Sequence, residues 1–216
     1  HGLLYRLVPE FAGLHCLVQF EFYHRWTADV HTLRCLMELD AIYAGETDVD
    51  QRYRAVVLGS EAPSLLYAIL FLHDIAKSGG IEGHAERGVP IADKVLERLG
   101  FDAREREIAA GVIRHHLVMG LYWQRHDIDD PANIDRFARL MGDEQVLRSL
   151  FVHTRCDARA TSPDLWTDFK DGQHWSLYRR TRAKLAGEAE HDHGAIVAAL
   201  RSATAGILGA EVPADE

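Results

Sequence analysis

The sequence predicts an all-α fold, a helical bundle with a metal site in its core. Apolar residues recur close to a 3.6-residue period over most of the 216 residues. Strand signals are scarce, because β-branched runs are short and lack period-2 alternation. Histidines and aspartates (His31, His73-Asp74, His84, His115-His116 and Asp157) fall on separate helical segments. A bundle builds its metal sites from side chains on facing helices in this way.

Taken in order, Val30–Tyr43 has apolar residues near helical spacing and is the first long helix. Pro63 sits in the first turn of the next, where its missing N–H costs nothing. That helix, Leu65–Ala76, is apolar nearly all round, as a central buried helix is, and Lys77-Ser78-Gly79-Gly80 ends it. Glu82–Leu99 follows, with Gly100 as a C-terminal cap. Asp102 is placed to cap Ala103–His116. Pro131–Met141 and Glu144–Ala160 are separated by Gly142-Asp143, and Trp166–Leu185 and Ala195–Leu208 complete the set. No repeat, low-complexity tract or linker interrupts the chain, so residues 1–216 are expected to form one domain. The chain opens on His1-Gly2 and is expected to be a piece of a longer one. Only the ends, before Leu7 and after Gly209, read as loose.

Composition excludes several classes. The chain is 47% hydrophobic and 26% charged, ordinary for one globular domain. No run of about 18 apolar residues would span a membrane, and no basic segment followed by an apolar one marks a secretory signal. The formal charge of −9 comes without a basic block, which argues against a duplex nucleic-acid partner. An acidic protein can still bind phosphate if metal ions supply the positive charge. The three cysteines, Cys16, Cys35 and Cys156, form no CxxC pair and lie in apolar segments, so all three are expected to be reduced core thiols in a cytoplasmic protein.

The chemistry concentrates at Leu72-His73-Asp74-Ile75-Ala76-Lys77. Aspartate is rarely buried unless paired or ion-bound, yet Asp74 follows a long apolar run. Imidazole and carboxylate together suit divalent first-row ions. Downstream come an HxxxG (His84 to Gly88), the pair His115-His116 and the distal Asp157. On a continuing helix His73 and Lys77 would share a face, with Asp74 rotated by about 100°. A lone helical histidine is ordinarily a hydrogen-bonded structural residue, which covers His15, His24, His126, His153 and His174. His191 and His193 beside Asp192 read as a polar helix entry. Arg114, Arg155 and Arg159 could contact phosphate, although surface ion pairing is the default for an arginine.

Beyond this pattern, six segments resemble one family. They are Leu7-Val8-Pro9-Glu10-Phe11, Gln19-Phe20-Glu21-Phe22-Tyr23-His24, Trp26-Thr27-Ala28-Asp29-Val30-His31-Thr32-Leu33, Leu72–Lys77, Arg114-His115-His116-Leu117 and Asp157-Ala158-Arg159-Ala160-Thr161. Together they are similar to the HD domain of the bifunctional uridylyltransferase/uridylyl-removing enzymes that modify the nitrogen-regulatory PII protein, within the HD superfamily of metal-dependent phosphohydrolases. The resemblance runs from about Gly2 to about Leu185. It implies an HD helical bundle that hydrolyses the uridylyl-tyrosine phosphodiester of PII. It also implies that His31, His73, Asp74 and Asp157 ligate metal, with His84 and His115 or His116 available for a second ion. The cofactor is then one or two divalent ions, Mn, Fe, Mg or Co, and the partner a uridylylated PII-type protein. Lys77 matches the lysine of the HDxGK pattern, with Ala76 in place of its glycine. The nucleotidyltransferase and ACT domains of that family have no counterpart in these residues, so transferase activity and glutamine control are not expected of them.

The mechanism this implies has Asp74 bridging two ions. Metal ions lower the pKa of a water toward neutrality, so that hydroxide can attack phosphorus in line. Lys77 and Arg159 are expected to neutralise charge on the non-bridging oxygens. Three other readings share the ligand pattern: a general HD nucleotide phosphohydrolase or phosphodiesterase, a diiron oxygenase, and a non-catalytic regulatory HD module.

Overall fold

The computed structural model of the chain describes residues 3–18 and 25–187. Ten α-helices lie among them: α1 (Leu3–Leu7), α2 (Ala28–Ala44), α3 (Asp48–Leu58), α4 (Leu65–Leu72), α5 (His84–Arg98), α6 (Ala103–His115), α7 (Val118–Arg125), α8 (Pro131–Met141), α9 (Glu144–Thr161) and α10 (Asp168–Leu185). Three short 3₁₀ turns join them, and no strand occurs among the described residues. The fold is all-α, as the periodicity implies. The expected helix Ala195–Leu208 lies outside the described residues.

Local chemistry sets the helix ends. Asp102 accepts from Glu105 N at 2.8 Å while the Glu105 carboxylate accepts from Asp102 N at 2.8 Å, a reciprocal capping box at the start of α6. Asp143 caps α9 by accepting from Gln145 N and Val146 N. After α5, Gly100 takes φ 90°, and Phe101 N donates to Leu96 O at 3.0 Å. This left-handed glycine cap uses up the last helical carbonyls.

α9 is the hub. It packs against α2, α3, α4, α6, α7, α8 and α10, and its buried residues include Leu147, Leu150, Phe151 and the polar His153, Thr154 and Arg155. The helix expected to be most central, α4, buries Leu65, Leu66, Ile69, Leu70 and Leu72 beside it. α4 ends at Leu72, four residues before the expected end. The His73 ring explains this: its Nδ1 donates to Leu70 O at 2.8 Å, taking up the carbonyl that Asp74 N would use in a continuing helix. The backbone tightens instead, with Ile75 N on Leu72 O and Lys77 N on Asp74 O at 2.9 Å. Among the described residues no helix is long and apolar enough to cross a membrane.

Cys35 and Cys156 are buried thiols, but Cys16 is exposed, at φ 53° in a turn after the first 3₁₀ segment. Its apolar neighbours Leu14 and Leu17 turn inward, which leaves the cysteine on the outer side.

Candidate metal centre

Five helices deliver the predicted residues to one place. His31 comes from α2, His73 and Asp74 from the tight turn after α4, His84 from the start of α5, His116 from just past α6, and Asp157 from α9. His31, His73, Asp74, His84 and His116 are all buried. Asp157 keeps 23% of its side chain exposed, where it edges a cleft of 360 Å³ lined also by Asp74, Lys77, Glu82, His84, His116 and Thr161.

The donors form two groups, each with its ligand atoms within 4.8 Å of one another: His31, Cys35, His73 and Asp157, and Asp74, His84 and His116. Asp74 stands between them. Its Oδ1 lies 3.1 Å from His84 Nε2 and 3.7 Å from His116 Nε2. Its Oδ2 lies 3.1 Å from His73 Nε2, 3.9 Å from His31 Nε2 and 2.7 Å from Lys77 Nζ. His31 Nε2 is 2.8 Å from Asp157 Oδ1.

The proton positions in this cluster follow from its hydrogen bonds. His73, His84 and His116 each place Nδ1 on a backbone carbonyl three residues earlier, at 2.8, 2.6 and 2.7 Å. A carbonyl only accepts, so each Nδ1 carries a proton, which leaves Nε2 as the ring atom that a metal ion can take from the inner side once it is free of a proton. Yet His84 Nε2 and His116 Nε2 are 3.1 Å apart, and a carboxylate oxygen faces both. Once their Nε2 protons are lost, these atoms converge as acceptors that repel one another, and a cation placed among them removes the repulsion. Backbone-anchored imidazoles of this kind are the usual supports of metal ligands. The residues present therefore fit a divalent ion.

In the cluster itself, burial opposes a charge on His73, but Asp74 and Asp157 raise its pKa above the ordinary imidazole value, so a divalent ion bound here replaces a proton. Burial opposes the charge on Asp74, but His73, His84 and Lys77 hold its carboxyl well below the usual carboxylate range. Asp157 is likewise held down, by His31 and His73 against the cost of burial. Burial and the neighbouring His73 push His116 down to about 4, so it is neutral at pH 7.

The histidine pair resolves into two different residues. His116 is buried in the cluster, while His115, the last residue of α6, is half-buried and belongs to neither donor group. Consecutive helical positions diverge by about 100°, so one of the pair turns away. The three candidate phosphate arginines also turn away from the cleft. Arg159 Nε binds Glu38 at 2.6 Å, Arg155 binds the buried Asp50 at 2.6 Å and stacks over Tyr53, and Arg114 Nε lies 3.2 Å from Glu86. Arg155 and Arg159 border a separate 960 Å³ cavity between α3, α9 and α10. Lys77 is the expected phosphate contact that does line the cleft.

Two residues at the centre escape a reading by motif. Cys35 is one turn after His31, and its Sγ is 3.5 Å from His31 Nε2. His153 is one turn before Asp157 and fully buried, with its ring centroid 4.8 Å from that of His73 and no hydrogen-bond partner for either nitrogen among the described residues. In both cases the available signal is the i, i+4 spacing from a ligand on the same helix face.

An all-helical bundle with a buried His/Asp cluster open to a small cleft defines the class, a phosphohydrolase of the HD type. The chain belongs to the HD family, whose domain model matches residues 30–151. It is also similar to proteins named bifunctional uridylyltransferase/uridylyl-removing enzyme. The protein of Caulobacter vibrioides is 35% identical over 206 residues, 94% of this chain and 22% of its own length. That of Phenylobacterium zucineum is 36% identical over 196 residues, 90% of this chain and 21% of its own. That of Cereibacter sphaeroides is 34% identical over 181 residues, 83% and 19%. The chain thus spans about a fifth of the length of these relatives.

Proposed function

We propose that the chain is a uridylyl-removing phosphodiesterase. It would release UMP from a uridylylated tyrosine of a PII-type protein in the cytoplasm, using one or two divalent ions held by His31, His73, Asp74, His84, His116 and Asp157. The observation that carries this reading is the position of Asp74, whose two oxygens face two separate donor groups beside a cleft. An ion held there supplies Lewis acidity and a water acidic enough to ionise near neutral pH.

The chain's own residues do the remaining work. Lys77, on the cleft wall and 2.7 Å from Asp74 Oδ2, places a positive charge where phosphoryl oxygens develop negative charge in the transition state. The backbone carbonyls of Leu70, Ile81 and Ile113 hold the three rings in one tautomer and orientation, so no reorganisation is needed when substrate binds. The leaving group of a tyrosine ester is a phenolate, of reference pKa about 10, which departs with less help from an acid than an alkoxide needs. That suits a cleft whose histidines are committed to the cluster.

The test is to incubate the metal-loaded chain with uridylylated PII protein and, separately, with nucleoside phosphates and a cyclic nucleotide. Release of UMP from the protein is expected. Hydrolysis of the free nucleotides with no UMP released from the protein would replace this reading with that of a general HD nucleotide phosphohydrolase.

A further inference from the structure

His31, Cys35, His73 and Asp157 bring one sulfur, two nitrogens and one carboxylate oxygen within 4.8 Å of one another. Cys35 is fully buried. His31 and Cys35 are one helical turn apart on α2, so both side chains leave the same face toward α9, against which α2 packs. A thiol hydrogen-bonded to an imidazole would account for the 3.5 Å between Cys35 Sγ and His31 Nε2. His31 Nε2 also meets Asp157 Oδ1 at 2.8 Å, so one ring nitrogen faces a thiol and a carboxylate at once, and a single ring proton does not serve both. His73 Nε2, its ring 1% exposed, lies 3.7 Å from Asp157 Oδ1 and 3.1 Å from Asp74 Oδ2.

The spacing also has the size of a metal site. Zinc bonds of about 2.3 Å to sulfur and 2.0–2.1 Å to nitrogen at a tetrahedral angle put the two donors about 3.6 Å apart, and a right angle would put them about 3.1 Å apart. The observed 3.5 Å matches the tetrahedral value, while His31 Nε2 and Asp157 Oδ1, 2.8 Å apart, would separate to take the same ion. Thiolate with imidazole and one carboxylate is a donor set for zinc, cobalt or ferrous iron, and a poor one for magnesium or manganese.

We propose that Cys35 is a ligand in this half of the centre, making a four-donor, zinc-type site distinct in metal preference from the Asp74/His84/His116 half. The proposal rests on the metal-centre reading above and deepens it. As the metal–sulfur bond forms, the thiol proton is lost to solvent. The two halves also differ in access. Of the first half only Asp157 lines the cleft, whereas Asp74, His84 and His116 all do. The first half thus meets the cleft at one edge, through Asp157, and the second half is the more open of the two.

The test uses the 216-residue chain stripped of metal and titrated with Co(II), read by absorption. A thiolate-to-cobalt charge-transfer band in the near ultraviolet, with intense tetrahedral d–d bands, is expected. Both should vanish in Cys35→Ser and persist in Cys156→Ser, whose thiol is buried outside the donor group. They should also persist in Cys16→Ser, which removes the exposed trio of His15, Cys16 and Asp29 as a source. Zinc affinity measured by chelator competition should fall at least roughly 10–100-fold in Cys35→Ser, with manganese affinity little changed. Cobalt binding without a thiolate band, or a band that disappears only in Cys16→Ser, overturns the Cys35 assignment and leaves the metal centre standing. Failure to bind cobalt at all overturns both. The wild-type spectrum decides the first point even if Cys35→Ser does not fold.

Discussion

At the scale of residues, the centre depends on which atom of each ring faces inward. Asp74→Asn keeps the shape but removes a negative charge from a point faced by His73, His84, His116 and Lys77. Bound metal should fall, and phosphodiesterase activity should drop by roughly 10³-fold. The metal-free variant should melt below the metal-free parent, because it loses the 2.7 Å ion pair of Asp74 with Lys77 at a place where the surrounding groups favour the ionised carboxylate. Metal analysis, turnover and thermal melting of both forms check this, and full metal with parental turnover would end the bridging role of Asp74. Lys77→Ala, by contrast, should keep its metal and lose rate. His116→Ala should lose metal while His115→Ala retains it, since only His116 lies in the cluster; equal stoichiometry in the two variants would remove the second donor group. Most of this centre was legible in the sequence, because HD after an apolar run, a later His pair and a distal Asp leave few arrangements open. The choice between His115 and His116 was not legible, since it turns on where α6 ends. The arginines follow the default of ion pairing, but their partners were not legible: Glu38 and Asp50 are more than 100 positions away in the chain, and no local pattern announces them.

At the scale of elements, helix bodies were legible and helix ends were less so. Pro131–Met141 appears with the bounds that its proline and Gly142 imply, whereas α4 stops early for a side-chain bond that periodicity cannot register. α3 and α7 have weak apolar patterns. α7 buries only Met119 and Trp123. α3 is polar overall, although its start is marked by Thr47, which accepts from Asp50 N at 3.1 Å, a cap that could have been read. Close approach of α6 to α9 depends on Gly111, where an added Cβ would meet Val146 Cγ2 at 2.9 Å and Cγ1 at 3.1 Å. Both branches of a stiff β-branched side chain face it, so a simple rotamer change relieves little. Gly111→Ala gains about 1 kcal/mol in helix propensity but overpacks this crossing at a cost of about 1–3 kcal/mol. A net loss of stability is expected in urea unfolding, and Val146→Ala should rescue it in the double variant. A stabilised single variant would show that α6 and α9 have room to spare.

At the scale of the whole molecule, the polar groups enclosed by α9 and α10 tie stability to pH away from the metal centre. His174 on α10 is fully buried and donates from Nε2 to Phe151 O at 2.8 Å. Burial depresses its pKa to about 4 from an ordinary 6.5, and the Phe151 carbonyl and Asp171 offset this only in part. Below pH 6.5 the unfolded chain takes up a proton on this ring that the folded chain refuses until about pH 4. Its contribution is therefore fully present above pH 6.5 and is lost as pH falls through the window down to about 4. A displacement of this size corresponds to roughly 3 kcal/mol at the acid end, of which about 2 kcal/mol is gone by about pH 5. His174→Gln retains an N–H for the Phe151 carbonyl but does not titrate. Its stability at neutral pH should be lower, because the amide fills the ring's space poorly, yet it should fall less steeply on acidification. Urea unfolding of the metal-free chain at closely spaced pH values from 7.5 to 4.5 measures both slopes. His116, also neutral in the folded chain with a pKa of about 4, titrates in the same window and contributes equally to parent and variant, so it drops out of the difference. Near pH 5 the variant should release close to one proton fewer per molecule on folding than the parent. Parallel slopes would mean that His174 is protonated inside the folded bundle, and the acid sensitivity would then have to come from other groups, His116 among them.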